Sequence, residues 1–256
     1  GRLRPGPGLE GRPARQPRLP RLGAQLQPAG RDGRAGDAAG GGARGRAGGG
    51  ALQDHRRALL GRHRLQAGID VAAILPLYRT VRDADPDLEP VGQPFMVSMG
   101  SHAEEARVFR VASSRSGPQV FFIEHLDYFN RAGIYGENAV DYPDNARRFA
   151  FFAQAAVTAL PRLIPGPIVL HAHDWHTALS LVYLRRLVHD RYSAETTAVL
   201  SVHNPGYQGH FPPEVMPQIG LPWELYNWRQ LEWYGKVNFL KGGLAFADFV
   251  TTVSPT

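Results

Sequence analysis

Two short stretches of this chain gather polar, titratable side chains where buried apolar runs stop. The first is Val169-Leu-His-Ala-His-Asp-Trp-His176 and the second is Val202-His-Asn-Pro-Gly-Tyr-Gln-Gly209. In open α/β sheets, ligands bind in the crevice beyond the carboxyl ends of parallel strands. Two such ends, about thirty residues apart, predict one shared site built from His171, His173, Asp174, His176, His203 and Asn204.

Three chemistries compete for these residues. Imidazoles and a carboxylate can ligate a metal. The nearest metal pattern, His-x-His-x-Asp-His, needs the Asp beside the final His, yet Asp174 sits one place early and Trp175 fills that slot. Spacing and the lack of cysteine therefore argue against a metal centre. A purely structural role is the second possibility: His171 or His173 satisfies buried backbone groups, and Asp174 caps a helix beginning near His176. That does not explain why a second strand also ends in His203-Asn204, with Gly206 and Gly209 permitting close backbone approach. The third possibility, a cleft of hydrogen-bonding groups suited to sugar hydroxyls, accounts for both strand ends.

Trp175, Tyr207, Trp223, Tyr226, Trp228, Trp233 and Tyr234 crowd around the same loops. Aromatic faces stack on sugars, but most aromatics simply pack. Trp233, on an apparent helical stripe, is expected in the core, whereas Tyr207 in its Gly-flanked loop is equally suited to a ligand. Lys236 and Lys241, the chain's only lysines, read as solvated charges on the last helix.

The elements that must position these residues follow from periodicity. Ile69–Leu75, Arg107–Val111, Gln119–Ile123, Ile168–Leu170, Thr197–Val202 and Phe249–Val253 read as strands. Asp144–Leu160 reads as a helix with Phe149, Phe152, Ala153, Ala156 and Leu160 on one face and Asp141 or Asp144 as cap. Thr177–Leu187 and Arg229–Asp248 read as helices too, and 204–222 as a long loop. Strands and helices alternating every thirty residues or so predict an α/β fold with a doubly wound parallel, Rossmann-like sheet. The final strand looks central in type, so the sheet is expected to continue beyond Thr256.

Composition divides the chain. Residues 1–66 hold 16 Gly, 14 Arg, 10 Ala and 6 Pro, and no Val, Ile, Met, Phe, Tyr or Trp. Such a segment cannot bury enough apolar surface to offset its ordering entropy, so it is expected to be a disordered arm. The globular unit is then 67–256. Residues 1–66 carry 14 Arg against 4 acidic residues, a balance of +10, so the rest of a +6 chain carries −4. The basic pI belongs to the arm, and nucleic-acid binding by the globular part does not follow from it. The zero cysteine count fits a reducing cytoplasm, and no run of 18 apolar residues predicts a membrane span.

These segments together resemble the N-terminal catalytic domain of bacterial glycogen synthase and plant starch synthase. The resemblance is carried by Asp70–Arg79, Gly133-Ile-Tyr-Gly136, Asp141-Tyr-Pro-Asp-Asn-Ala-Arg-Arg-Phe149, His171–His176, Val202–Asn204 with Tyr207–Gly209, Gly235–Gly243, and Ala247-Asp248 with Thr252–Thr256. It implies the N-terminal half of a GT-B fold, two Rossmann-like domains facing across a cleft. It implies transfer of glucose from ADP-glucose to the non-reducing 4-OH of an α-1,4-glucan such as glycogen, with retention, in the cytoplasm, and with no metal or other cofactor.

By motif match, Asp174 and His203 would be the catalytic pair bordering the donor glucose, with His203 near its 6-OH. His171, His173, His176, Asn204, Tyr207, Gln208 and Gly209 would line the substrate pocket, and Tyr135 would lie on the acceptor side. The family's opening strand and Lys-Thr-Gly-Gly-type loop have no counterpart in residues 1–68, which contain no Lys. Of a natural arm, a linker and translation in a shifted frame, the abrupt onset of family-like sequence favours the last for 1–66. The family's C-terminal domain also has no counterpart here, so the chain alone is expected to be inactive. A non-catalytic glucan-binding module and a metal-dependent hydrolase using His171, His173, Asp174 and His176 are the rival expectations.

Overall fold

The computed structural model describes residues 70–112, 118–186 and 191–253. The expected arm at 1–66, most of the turn expected at 113–118, Leu187 and Ser254–Thr256 lie outside the described residues.

Five strands come first: β1 (Ala72–Pro76), β2 (Leu88–Pro90), β3 (Phe95–Met99), β4 (His102–Val111) and β5 (Gln119–Glu124). β1 runs parallel to β5, while β4 runs antiparallel to β5, β2 and β3. Val120, Phe121, Phe122 and Ile123 of β5 are all buried, as a strand covered on both faces requires. In β4, Ala106 and Val108 are buried in the main core, while Phe109 and Val111 on the opposite face pack against a second cluster of Leu77, Val120 and Phe122.

A small hairpin, β6 (Gly136–Glu137) and β7 (Val140–Asp141), precedes helix α1 (Asn145–Leu163). The expected stripe Phe149, Phe152, Ala153, Ala156 and Leu160 is buried, but so are Ala150, Phe151 and Ala155. A helix buried around most of its circumference, its polar Asn145, Arg148 and Gln154 included, lies within the molecule rather than on it. α1 joins both sheets in one core that includes Val97, Phe121, Ile123, Ala172 and Leu200.

Next come β8 (Val169–His173), helix α2 (Trp175–Arg186) and β9 (Thr197–Val202), a parallel crossover with His171 opposite Val199 and His173 opposite Ser201. The chain then makes a long excursion: β10 (His210–Phe211), a helical turn at Val215–Gln218, β11 (Glu232–Trp233), β12 (Lys236–Asn238) and helix α3 (Phe239–Phe246). It returns as β13 (Phe249–Thr252), parallel to β9.

The chain is thus α/β with parallel strand pairs, extended by antiparallel β2–β4. Two expectations change. The helix expected over Arg229–Asp248 is confined to Phe239–Phe246, and its first half is the β11–β12 hairpin, closed by Tyr234-Gly235 with both residues at positive φ (+48° and +75°). Trp233 therefore leaves the core and is 43 % exposed, while Val237 and Leu240 of the same apparent stripe are buried. The loop expected at 204–222 also contributes to the core, through Met216, Ile219 and Leu221.

Candidate functional site

β8 and β9 end side by side, and a single carboxylate ties the ends together. Asp174 donates its N–H to Ser201 O (2.9 Å), extending the ladder one residue beyond β8. It then takes a left-handed conformation (φ +58°), which Asp tolerates better than most residues, to start α2. Its Oδ1 accepts from the backbone N–H of His203 (2.7 Å) and of Asn204 (3.3 Å). Its carboxylate bonds this neighbouring strand end rather than the first turn of α2, and Thr177 Oγ1 ties that turn back to β8, accepting from His173 N–H (2.6 Å) and donating to His173 O (2.7 Å).

The histidines form a connected set. His173 Nδ1 and His203 Nε2 share a hydrogen bond (3.0 Å), so one ring donates and the other accepts. His171 stacks on His173 (centroids 4.3 Å apart) and bonds Ser201 Oγ (2.7 Å), which in turn bonds Thr251 Oγ1 (2.5 Å). A row running from β13 through β9 to β8 thus sets the orientation of His203, whose side chain is exposed with that of Asn204. Among the described residues, no group of three or more His, Asp or Glu is arranged to hold a metal ion.

The loop after β9 is held from below. Asn204 Oδ1 accepts from Gly206 N–H (3.0 Å), and Gln208 Nε2 donates to Pro205 O (2.9 Å). Buried Asn238, missed at the sequence level, is its main anchor. Its Nδ2 donates to Gln208 Oε1 (2.7 Å), while its Oδ1 accepts from Lys241 N–H (2.8 Å) and caps α3. The signal available was an Asn before an apolar run, Asn238-Phe-Leu-Lys241. Gly209 adopts φ +67°, and a Cβ there would stand 2.5 Å from Trp175 Cε3. The indole of the first motif therefore packs on the glycine of the second. Tyr207 projects at the loop tip, 69 % exposed.

Tyr135 joins this region from another loop. Its ring lies 6.2 Å from Trp175, 6.1 Å from His176 and 5.9 Å from Phe149. Burial, reinforced by the nearby Asp174 carboxylate, raises the Tyr135 phenol above its usual range. The start of α1 holds the Tyr135 loop: Asn145 Nδ2 donates to Tyr135 O (2.8 Å) and Arg148 Nη1 to Ile134 O (2.7 Å). Asp144, expected to cap α1, makes no side-chain cap bond and pairs with Arg131 through both oxygens (2.7 and 2.6 Å). Arg148 of α1 is fully buried beside the Phe129, Tyr142 and Phe149 rings.

His176 lies apart from the open wall, its ring within 6 Å of Trp175 (5.7 Å) and Phe149 (5.9 Å). Its Nδ1 is buried without a hydrogen-bond partner. Burial lowers its imidazole below the usual value; Asp174 opposes this and His203 adds to it. Lys241 is no solvated charge, since its ammonium donates to Trp228 O (2.6 Å) and to Glu232 O.

Residues 50–256 match the family of starch synthase catalytic domains, upstream as well as downstream of the compositional break. The glycogen synthase of Syntrophotalea carbinolica is 43 % identical over 195 residues, 76 % of this chain and 40 % of that protein. The glycogen synthase of Thermodesulfovibrio yellowstonii is 41 % identical over 208 residues, 75 % of this chain and 41 % of that protein. The catalytic domain of starch synthase IV from Arabidopsis thaliana, solved bound to ADP and acarbose, aligns with a TM-score of 0.65 at 27 % identity, covering 78 % of this chain and 41 % of that one. The chain thus spans about 40 % of the length of the curated relatives it matches.

Proposed function

Because the chain belongs to the starch synthase catalytic domain family, we propose that it forms one wall of the donor cleft of a retaining glucosyltransferase. That enzyme moves glucose from ADP-glucose to the non-reducing end of an α-1,4-glucan. Residues 67–256 serve as the Rossmann-like N-terminal half of a GT-B fold, in a cytoplasmic protein. No helix among the described residues is long and apolar enough to cross a membrane.

One observation carries this reading: Asp174 Oδ1 clamps the amides of His203 and Asn204, so two strand ends present a single prearranged edge. Sugar transfer passes through an oxocarbenium-like transition state. Such a state gains most from dipoles and carboxylates placed before the reaction, because nothing then has to reorganise. In this scheme His203 meets the donor glucose near its 6-OH, oriented by His173 and behind it His171. Asn204, Tyr207, Gln208 and Gly209 shape the pocket, and Asp174 lends its negative charge while holding their backbone. Tyr135 borders the acceptor side, and His176 supports the wall from within the aromatic cluster. The ADP and acarbose bound by the Arabidopsis neighbour supply the matching ligand chemistry, a nucleoside diphosphate and an α-glucan mimic.

Since the chain is about 40 % of its relatives' length, binding is the direct test of the residues it contains. Isothermal titration with ADP-glucose should show binding that weakens about tenfold in His203→Ala and in Asp174→Ala, the loss of about one hydrogen bond. Equal affinity of both variants and the wild type would refute the assignment.

A further inference from the structure

Beyond the donor wall, the β11–β12 hairpin carries a second concentration of exposed aromatics. Trp228 is 70 % exposed, Trp233 43 % and Tyr234 86 %. With Glu232 and Lys241 they line a cavity of about 320 Å³, which none of the donor-wall residues lines. The rings lie against one another and against cationic side chains. Trp233 and Tyr234 meet edge-on (centroids 5.0 Å, 89°), Lys241 Nζ lies 5.2 Å above Trp233, and the Arg229 guanidinium sits 4.9 Å over Trp228.

A second, independent feature points the same way. Tyr234-Gly235 is a two-residue turn with both φ values positive, the type I′ geometry in which Asn or Gly normally takes the first place. A bulky aromatic there is strained, and such strain persists where it serves a function. The strain sets a tyrosine ring at the hairpin tip, beside the cavity, where it gains little from burial.

We propose that Trp228, Trp233 and Tyr234, with Glu232 and Lys241 at the rim, form a second glucan-binding site outside the donor wall. The rings offer flat apolar faces to the C–H faces of glucosyl units. Glu232 accepts hydroxyl hydrogens, and Lys241 keeps one of its three N–H donors beyond the two given to Trp228 O and Glu232 O. The platform shares a support with the donor wall: β10 begins at His210, immediately after Gly209, and Asn238 of β12 holds Gln208. A polymeric acceptor gripped there stays attached beside the cleft between encounters. The choice of an α-glucan as occupant rests on the proposed function above.

Affinity electrophoresis of the chain through glycogen-containing native gels tests this, with maltoheptaose quenching of tryptophan fluorescence as the second readout. The wild type should be retarded by glycogen. Trp228→Ala and Trp233→Ala should each weaken retention about tenfold, as truncation of an aromatic anchor does. Trp233→Phe should keep most of the retention and so exclude misfolding as the cause, and His203→Ala should migrate as wild type. Retention that is absent, unchanged in the alanine variants, or lost in His203→Ala overturns the proposal. So does a change of oligomeric state in the tryptophan variants with glycogen retention intact, which would make the face a contact between copies. Titration with ADP-glucose separates the two readings. Failure of ADP-glucose binding with tryptophan-dependent retention sinks the donor wall and leaves the platform standing.

Discussion

Replacing Gly209 by Ala should cost the fold far more than the same change at another left-handed glycine. At Gly209 (φ +67°) an added Cβ would meet Trp175 Cε3 at 2.5 Å, Trp175 Cδ2 at 3.0 Å and Phe239 Cβ at 3.2 Å. The left-handed backbone alone costs a non-glycine residue about 1 kcal/mol. Forcing a methyl group into a packed contact adds about 1–3 kcal/mol, and an indole wedged against Phe149 and Phe211 cannot swing aside cheaply. The total is about 2–4 kcal/mol. For a unit of this size each kcal/mol lowers Tm by about 2–4 °C, so the melting point should fall on the order of 10 °C. Gly92 is the internal control: its φ is +70°, nothing lies within 4 Å of its added Cβ, and Gly92→Ala should lower Tm by only about 2–4 °C. Melting followed by circular dichroism at 222 nm measures both. Combining Gly209→Ala with Trp175→Leu should cost clearly less than the sum of the single changes, because the second removes the atoms the first strikes. Equal losses at Gly92 and Gly209, or strict additivity with Trp175→Leu, would refute the packing of one motif on the other.

Asn238→Ala should destabilise by about 1–3 kcal/mol in urea titration, since it removes the α3 cap and leaves Gln208 Oε1 without its donor, whereas Asn238→Asp should keep the cap. Arg148→Met should speed hydrogen exchange at Ile134–Gly136 about tenfold or more, because the guanidinium bond to Ile134 O is lost and the loop opens locally. His176 gives a pH signature. Burial holds its folded imidazole below the value near 6.5 that the unfolded chain shows, so the unfolded state takes the proton first. Its stability contribution is complete above about pH 6.5 and is lost as pH falls through the folded value. The drop in Tm between pH 7.5 and 5.5 should therefore be smaller in His176→Phe than in wild type; identical drops would contradict the buried, neutral ring.

The strand ends were legible because apolar runs stopped abruptly at polar residues, and β9 falls on Thr197–Val202 as its pattern predicts. The hairpin was not legible. Trp233, Val237 and Leu240 fall at helical spacing by coincidence, and Tyr234-Gly235 lacks the Asn-Gly or Asp-Gly signature of a type I′ turn. The partner of the Asp174 carboxylate was not legible either. A carboxylate before a helix normally caps it, and only the left-handed φ at Asp174 turns the side chain toward β9. Arg148 was hidden for the opposite reason, since arginine is almost never fully buried, yet here carbonyl and aromatic partners surround it. Each miss is a case in which tertiary contacts overrode a local pattern.

The most direct test of the donor wall is saturation-transfer NMR on the chain with ADP-glucose. Glucose protons, those at C6 foremost, should receive saturation in wild type and lose most of it in His203→Ala, while the Trp233→Ala spectrum stays as wild type. Saturation confined to the adenine and ribose, or glucose saturation indifferent to His203, would mean that the two strand ends do not hold the sugar.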